Sequence, residues 1–132
     1  MRIVIDTNVL ISGLMFDGLP ERVVKLAVGK DNELVISPYI ISETSRNLRK
    51  KFDVKAESIQ LFQATMNACQ VVYFDPYLHV ITDEPDNRVL ETAIEGKAEF
   101  IITGDKLLLE LGNYEGVKIV TPAKFLKLGL QN

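Results

Sequence analysis

Five short runs of branched apolar residues constrain the fold more than anything else in this sequence: RIVI (2–5), ELVI (33–36), QVVYF (70–74), EFIIT (99–103) and VKIVT (117–121). Most do not alternate apolar with polar, as a strand with one wet face must. They read as strands covered on both faces, the pattern of a parallel sheet between helices. Helical spacing fills the gaps. PERVVKLAVGK (20–30) places Val23, Val24, Ala27 and Val28 on one side, with Pro20 near its start and Gly29 near its end. SPYIISETSRNLRKKF (37–52) offers Ser37 as N-cap, Pro38 at the first helical position, and a stripe of Ile40, Ile41, Thr44, Leu48 and Phe52. KAESIQLFQATMNAC (55–69), DNRVLETAIEGKA (86–98), DKLLLEL (105–111) and PAKFLKLGL (122–130) complete the set. The order β-α-β-α-α-β-α-β-α-β-α, with short links, predicts a three-layer α/β/α sandwich around a mostly parallel five-stranded sheet.

The 132 residues are expected to form one domain spanning 1–132, since no repeat, low-complexity tract or linker divides them. At 47% hydrophobic and 25% charged residues, the composition is that of a folded globular chain. No apolar run approaches the ~20 residues that span a bilayer. MRIVIDTN lacks the apolar core and small-residue cleavage site of a signal peptide, and the single cysteine, Cys69, suits a reducing interior. A cytoplasmic, membrane-free location is the expectation. The net charge of −3 argues against binding nucleic acid by bulk charge, but the cations are uneven. RNLRKKFDVK (46–55) carries five cations against one acid, including Arg46, Arg49 and Lys50. Such a run is either a solvated helix face or a patch that contacts RNA phosphates.

Four acids fall at element ends. Asp6 lies just past the first strand, Glu43 in the first turns of the helix after the second, Asp86 at the head of DNRVLETA, and Asp105 after the fourth strand. Ligand sites in open α/β sheets form outside the carboxyl ends of the strands, and all four acids have that address. Each also has a plainer reading. Asp6 could cap a helix TNVLISGL, Asp105 could cap KLLLEL, Asp86 could answer a helix dipole, and Glu43 could be surface. Asp86 stands out because it shares a face with Val89, Leu90 and Ala93, which must pack on the sheet. A carboxylate there is costly unless paired or bound to a cation.

One His (His79) and one Cys exclude an ordinary zinc site. His79 itself reads as a loop residue. Clustered carboxylate oxygens suit Mg²⁺ or Mn²⁺, ions that also bind phosphate and assist in-line displacement at phosphorus.

IDTNVLIS, SPYIISE, DEPDNRVLETAIEGKAEFIITGDKLLL and VKIVTPAKFL, in that order and across nearly the whole chain, resemble the PIN-domain family, in detail its VapC-type toxin ribonucleases. The resemblance implies an endoribonuclease specific for single-stranded RNA and dependent on one or two Mg²⁺ or Mn²⁺ ions. It places the catalytic and metal-holding quartet on Asp6, Glu43, Asp86 and Asp105. Asn8 and Thr103 match polar positions that orient the carboxylates or touch phosphate. Asp83 is either an outer ligand or the cap of EPDNRV. A homodimer and an inhibitory antitoxin protein are further implications.

Two rivals follow from the same residues. A haloacid-dehalogenase-like phosphatase wants Asp-x-Asp, and Asn8 stands where the second acid belongs. A PIN module that binds RNA or a partner through the Arg46–Lys55 helix, and cuts nothing, is the other.

Overall fold

Ile3, Val4 and Ile5 are each no more than 1% exposed, so strand β1 (Arg2–Ile5) is covered on both faces, as its unbroken apolar run predicted. The same holds for Leu34, Val35 and Ile36 of β2 (Glu33–Ile36) and for Ile101 and Ile102 of β4 (Phe100–Ile102). The computed structural model describes residues 1–50 and 54–129. Phe52, the end of the expected apolar stripe, the 51–53 part of the basic run and Leu130 lie outside them.

The helices are α1 (Thr7–Met15), α2 (Leu19–Ala27), α3 (Pro38–Arg49), α4 (Ala56–Ala68), α5 (Glu84–Glu95), α6 (Lys106–Leu111) and α7 (Pro122–Gly129). The remaining strands are β3 (Gln70–Val71), β5 (Asn113–Tyr114) and β6 (Val117–Val120). The sheet order is β3-β2-β1-β4-β6-β5, parallel throughout except for the β5–β6 pair. The sheet therefore has six strands, not the expected five. The addition is a two-residue strand, closed onto β6 by Glu115 (φ 50°) and Gly116 (φ 84°). That two-residue, positive-φ loop is the hairpin turn that matches strand twist, and a strand so short leaves no periodicity to read. A second departure is α1, a separate helix from α2, where one helix was expected between β1 and β2. Gly18 (φ 132°) divides the two.

Chain direction decides the layers. From β1 to β3 the strands progress one way, and from β3 the chain crosses back to β4 and continues to β6. Right-handed crossovers therefore put α5 on the face opposite α1–α4. The packing agrees: α1 contacts α2, α3 and α4, α2 contacts α7, and α5 lies on β1, β2 and β4. The order reverses between β1 and β4, which opens a crevice at their carboxyl ends. Asp6 N donates to Ile102 O (2.9 Å) and extends the β1–β4 pairing into that crevice. Among the described residues, no helix is long and apolar enough to cross a membrane.

The α1–α2 pair packs without room for a side chain at Gly13, where a Cβ would stand 2.6 Å from both Pro20 O and Val24 Cγ2. Gly104, by contrast, has nothing within 4 Å of its Cβ position. Gly13→Ala should therefore destabilise by about 1–3 kcal/mol in urea unfolding, despite the better helix propensity of alanine. Gly104→Ala should leave the urea midpoint unchanged.

Candidate functional site

Burial and hydrogen bonding place the sequence-predicted residues in two groups. The first gathers at the β1–β4 crevice. Asp6 closes β1 and is 8% exposed; Thr103 follows β4 and is fully buried. Thr103 Oγ1 donates to Asp6 Oδ2 (2.6 Å) and accepts from Asp105 N (2.9 Å). One hydroxyl thus ties the Asp6 carboxylate to the turn that carries Asp105. Asp105 caps α6 as its plain reading held, its Oδ1 accepting from Leu108 N (3.1 Å). Asp6 takes the N-cap position of α1 without a side-chain cap bond, so its carboxylate is not spent on capping. Burial raises the Asp6 carboxyl above its ordinary value, and Asp105 and Asp83 add to that, against the lowering by Thr103 and by the Thr7 backbone.

Asp86 is 5% exposed, and its Oδ2 is buried with no hydrogen-bond partner. Its pKa is pushed up to about 7, first by desolvation, then by the charges of Asp105 and Asp83, by a carboxyl–carboxyl contact with Asp105, and by the charge of Asp6. The contact becomes a hydrogen bond only when one acid carries a proton; with both ionised, two acceptors face each other and Oδ2 is left alone. Among the described residues, no ion pair reaches Asp6, Asp83, Asp86 or Asp105.

The second group lies on α3. Glu43 is half-buried and its Oε2 accepts from Arg46 Nη2 (2.6 Å). Tyr39, one turn back, links the groups electrostatically. Its hydroxyl is raised by burial, then by Glu43, with Asp83 also raising it and Arg46 and Arg88 opposing. Arg49 turns its Nε toward Ser45 O (3.4 Å) and Lys50 is exposed at the end of α3. Arg46 therefore serves Glu43, while Arg49, Lys50 and Lys55 are exposed cations among the described residues of the run. Asn8 is exposed and, with Asp6, Ser12, Gly104, Asp105 and Lys106, lines a cleft of about 530 Å³. His79 is an exposed loop residue, 3.4 Å from Glu84 Oε1.

Asp83 occupies the N-cap position of α5, yet its side chain makes no cap bond. Pro85 has no N–H to offer, and Asp86 N already donates to the Asp83 main-chain oxygen (3.1 Å). The capping role expected of this carboxylate is not what the structure shows. Ser37 likewise takes the N-cap place of α3 without a cap bond; its hydroxyl lies 2.8 Å from Thr92 Oγ1.

No set of three or more Asp, Glu, His or Cys side chains among the described residues is disposed around one ion position. The donor chemistry nevertheless fits a hard divalent cation. Asp86 Oδ2 is an orphaned buried acceptor beside Asp105, and Mg²⁺ binds through one or two carboxylates while keeping its waters. Sequence reasoning missed Asn87, Arg88 and Glu91, which follow Asp86 on α5 and bind the segment 77–81. Asn87 and Glu91 are fully buried, and their i,i+4 spacing was the available signal.

The raised carboxyl has a consequence for stability. Between pH 3.8 and about 7 folded Asp86 holds a proton that unfolded Asp86 has lost. Its contribution is thus complete below the lower value and lost as pH rises through the upper one. In chelated protein, Asp86→Asn should raise the unfolding midpoint over wild type at about pH 8 and give no gain at about pH 4. Equal curves at both pH values would deny the burial of an uncompensated charge.

Residues 2–107 match the family model for the PIN domain. The uncharacterized protein MJ1680 of Methanocaldococcus jannaschii is 30% identical over 141 aligned residues, which cover 96% of this chain and 90% of that relative. The family match runs from β1 to the start of α6 and so includes Asp6, Glu43, Asp83, Asp86 and Asp105.

Proposed function

This chain belongs to the PIN-domain family, whose members are generally nucleases, and from that premise we propose that it is a Mg²⁺- or Mn²⁺-dependent endoribonuclease. Its substrate is single-stranded RNA, and its setting is that of the toxin in a cytoplasmic toxin–antitoxin pair. The observation that carries the reading is the unpartnered, buried oxygen of Asp86 beside Asp105 in the β1–β4 crevice. A site with several mutually raising acids, none of them in an ion pair among the described residues, suits an anionic substrate only if a divalent ion joins them.

Asp86, Asp105 and Asp6 would hold that ion, with Glu43 joining from α3 once released by Arg46. When bound, the ion supplies charge neutralisation for the phosphodiester and lowers the pKa of a coordinated water. Thr103 keeps Asp6 turned into the crevice and ties down the Asp105 turn. Asn8, at the cleft wall, would donate to a phosphate oxygen, and Arg49 and Lys50 at the end of α3 would hold the flanking backbone. An antitoxin would close the same crevice with a basic side chain, as Arg46 does for Glu43 within the chain. A second copy of the chain completes the proposed assembly as a homodimer.

The non-catalytic alternative has one observation in its favour: Glu43 is held by Arg46 apart from the other acids. Cleavage assays separate the readings. Mn²⁺ should support cutting of single-stranded RNA, EDTA should abolish it, and Asp6→Asn should weaken both Mn²⁺ binding and cutting by roughly 10–100-fold or more. Binding of RNA by wild type without cutting at any Mn²⁺ concentration would favour the binding module. Cutting that survives in Asp6→Asn would sink the assignment of the site.

A further inference from the structure

Two features of a fold call for a glycine: a positive φ, or a neighbour too close for a Cβ. Gly116 (φ 84°) has the first and Gly13 the second. Gly104 has neither. Its φ is not positive, and a Cβ there would meet nothing within 4 Å among the described residues. Yet it stands between Thr103, which bonds Asp6, and Asp105, which caps α6. A third use of glycine is to let a ligand approach the main chain closely, and at Gly104 that use is the one left.

Gly104 lines the cleft of about 530 Å³ whose walls include Asp6 and Asp105, so whatever fills that space lies against the acids. The volume falls within the ~300–1,000 Å³ of small-molecule sites, the scale of a single nucleotide rather than of a partner's helix. Three helices border it near their amino ends, with Asn8 of α1, Pro20 of α2 and Pro122 of α7. Helix amino ends favour negative groups. Lys106 adds a cation whose side chain is 88% exposed and whose Nζ lies 3.9 Å from Glu110 Oε1, an exposed pair that gives way at little cost. Ser12 adds a hydroxyl on the α1 wall. A small anion would leave the two proline rings uncovered, and an apolar ligand would leave Asn8, Ser12 and Lys106 unanswered. A phosphate joined to a sugar and a base meets all of them. Glu43 and Asp86 do not line the cleft, which therefore extends from the acids on one side only.

We propose that this cleft seats the nucleotide adjoining the scissile phosphate, with Gly104 keeping its floor open and Lys106 meeting its backbone phosphate. This inference rests on the ribonuclease reading above and deepens it. It gives the TGDK stretch (103–106) a division of labour: Thr103 and Asp105 build the acidic site, while Gly104 and Lys106 receive the adjoining nucleotide.

A series of cleft-filling variants of the full chain tests it, read by Mn²⁺-supported cleavage of a single-stranded RNA hexanucleotide and by calorimetric Mn²⁺ titration. Gly104→Leu, from the floor, and Ser12→Leu, from the α1 wall, should each raise KM by roughly 10–200-fold, the scale on which a methylene in a pocket discriminates ligands. Gly104→Ala should fall between wild type and Gly104→Leu. Mn²⁺ affinity and the urea midpoint should stay at wild-type values throughout. Lys106→Gln should flatten the salt dependence of hexanucleotide binding, lowering its slope by about 1, without weakening Mn²⁺ binding. If Gly104→Leu does not fold, Ser12→Leu decides. Wild-type KM in the folded leucine variants overturns the proposal. So does a Gly104→Leu effect matched by lost Mn²⁺ affinity while Ser12→Leu is silent, which would place the effect in the Asp105 turn rather than in the cleft. Wild type that binds the hexanucleotide without cutting it defeats the ribonuclease reading alone, and the same series is then read by Kd. Wild type that does not bind it with Mn²⁺ present defeats both.

Discussion

Helix α5 buries two carboxylates less than two turns apart and treats them in opposite ways. Glu91 receives two main-chain N–H groups and an arginine. Asp86 receives nothing at Oδ2 and faces Asp105. A buried charge without a partner is among the most expensive features a fold can hold, and structure alone gives no reason to keep it. Glu91 shows that this same helix can give a buried acid a counter-ion and two main-chain donors when the acid is there for the fold. The unsatisfied state of Asp86 is what the rest of the site is arranged around: Asp6 and Asp83 add like charge, and Thr103 orients the nearest neighbour rather than neutralising it.

The sheet topology explains why the acids meet where they do. Reversal of strand order between β1 and β4 leaves a crevice at their carboxyl ends. Asp6 and Thr103 are the first residues past those two strands, so their hydrogen bond crosses the crevice floor. The helix that follows β4 brings Asp105, and the helix on the far face brings Asp86. Glu43 arrives separately on α3 and keeps a counter-ion, Arg46, which explains why it stands apart from acids that raise one another.

Much of this was legible in the residues because the physics is local. Unbroken apolar runs such as RIVI and ELVI point to covered, parallel strands, although QVVYF forms only the short β3 and leaves Tyr73 exposed, and Asp86 among Val89, Leu90 and Ala93 had to face inward. The strand β5 was illegible because two residues carry no pattern, and its turn depends on positive φ at Glu115, a residue without glycine's freedom. The hold of α5 on the segment 77–81 was hidden for another reason. Asn87, Arg88 and Glu91 look like the wet face of an amphipathic helix; the i,i+4 spacing groups Asn87 with Glu91 but does not say that the irregular segment just before the helix will cover them. Of the two readings of Asp83, the cap fails because Pro85 has no N–H and Asp86 N is already bonded to the main chain, a detail the usual rule of an Asp before a helix does not include.

The central claim is that the crevice acids form one cation site centred on Asp86 and Asp105. Paramagnetic broadening by Mn²⁺ in a ¹⁵N-labelled sample locates bound metal directly. The account predicts early, selective loss of amide signals at Asp6, at Asp83, Glu84, Asp86 and Asn87 and at Thr103 to Asp105, with the turn at Glu115 and Gly116, before the amino end of β6, the last to broaden. Broadening spread evenly over the surface acids, or centred on another part of the chain, would contradict it.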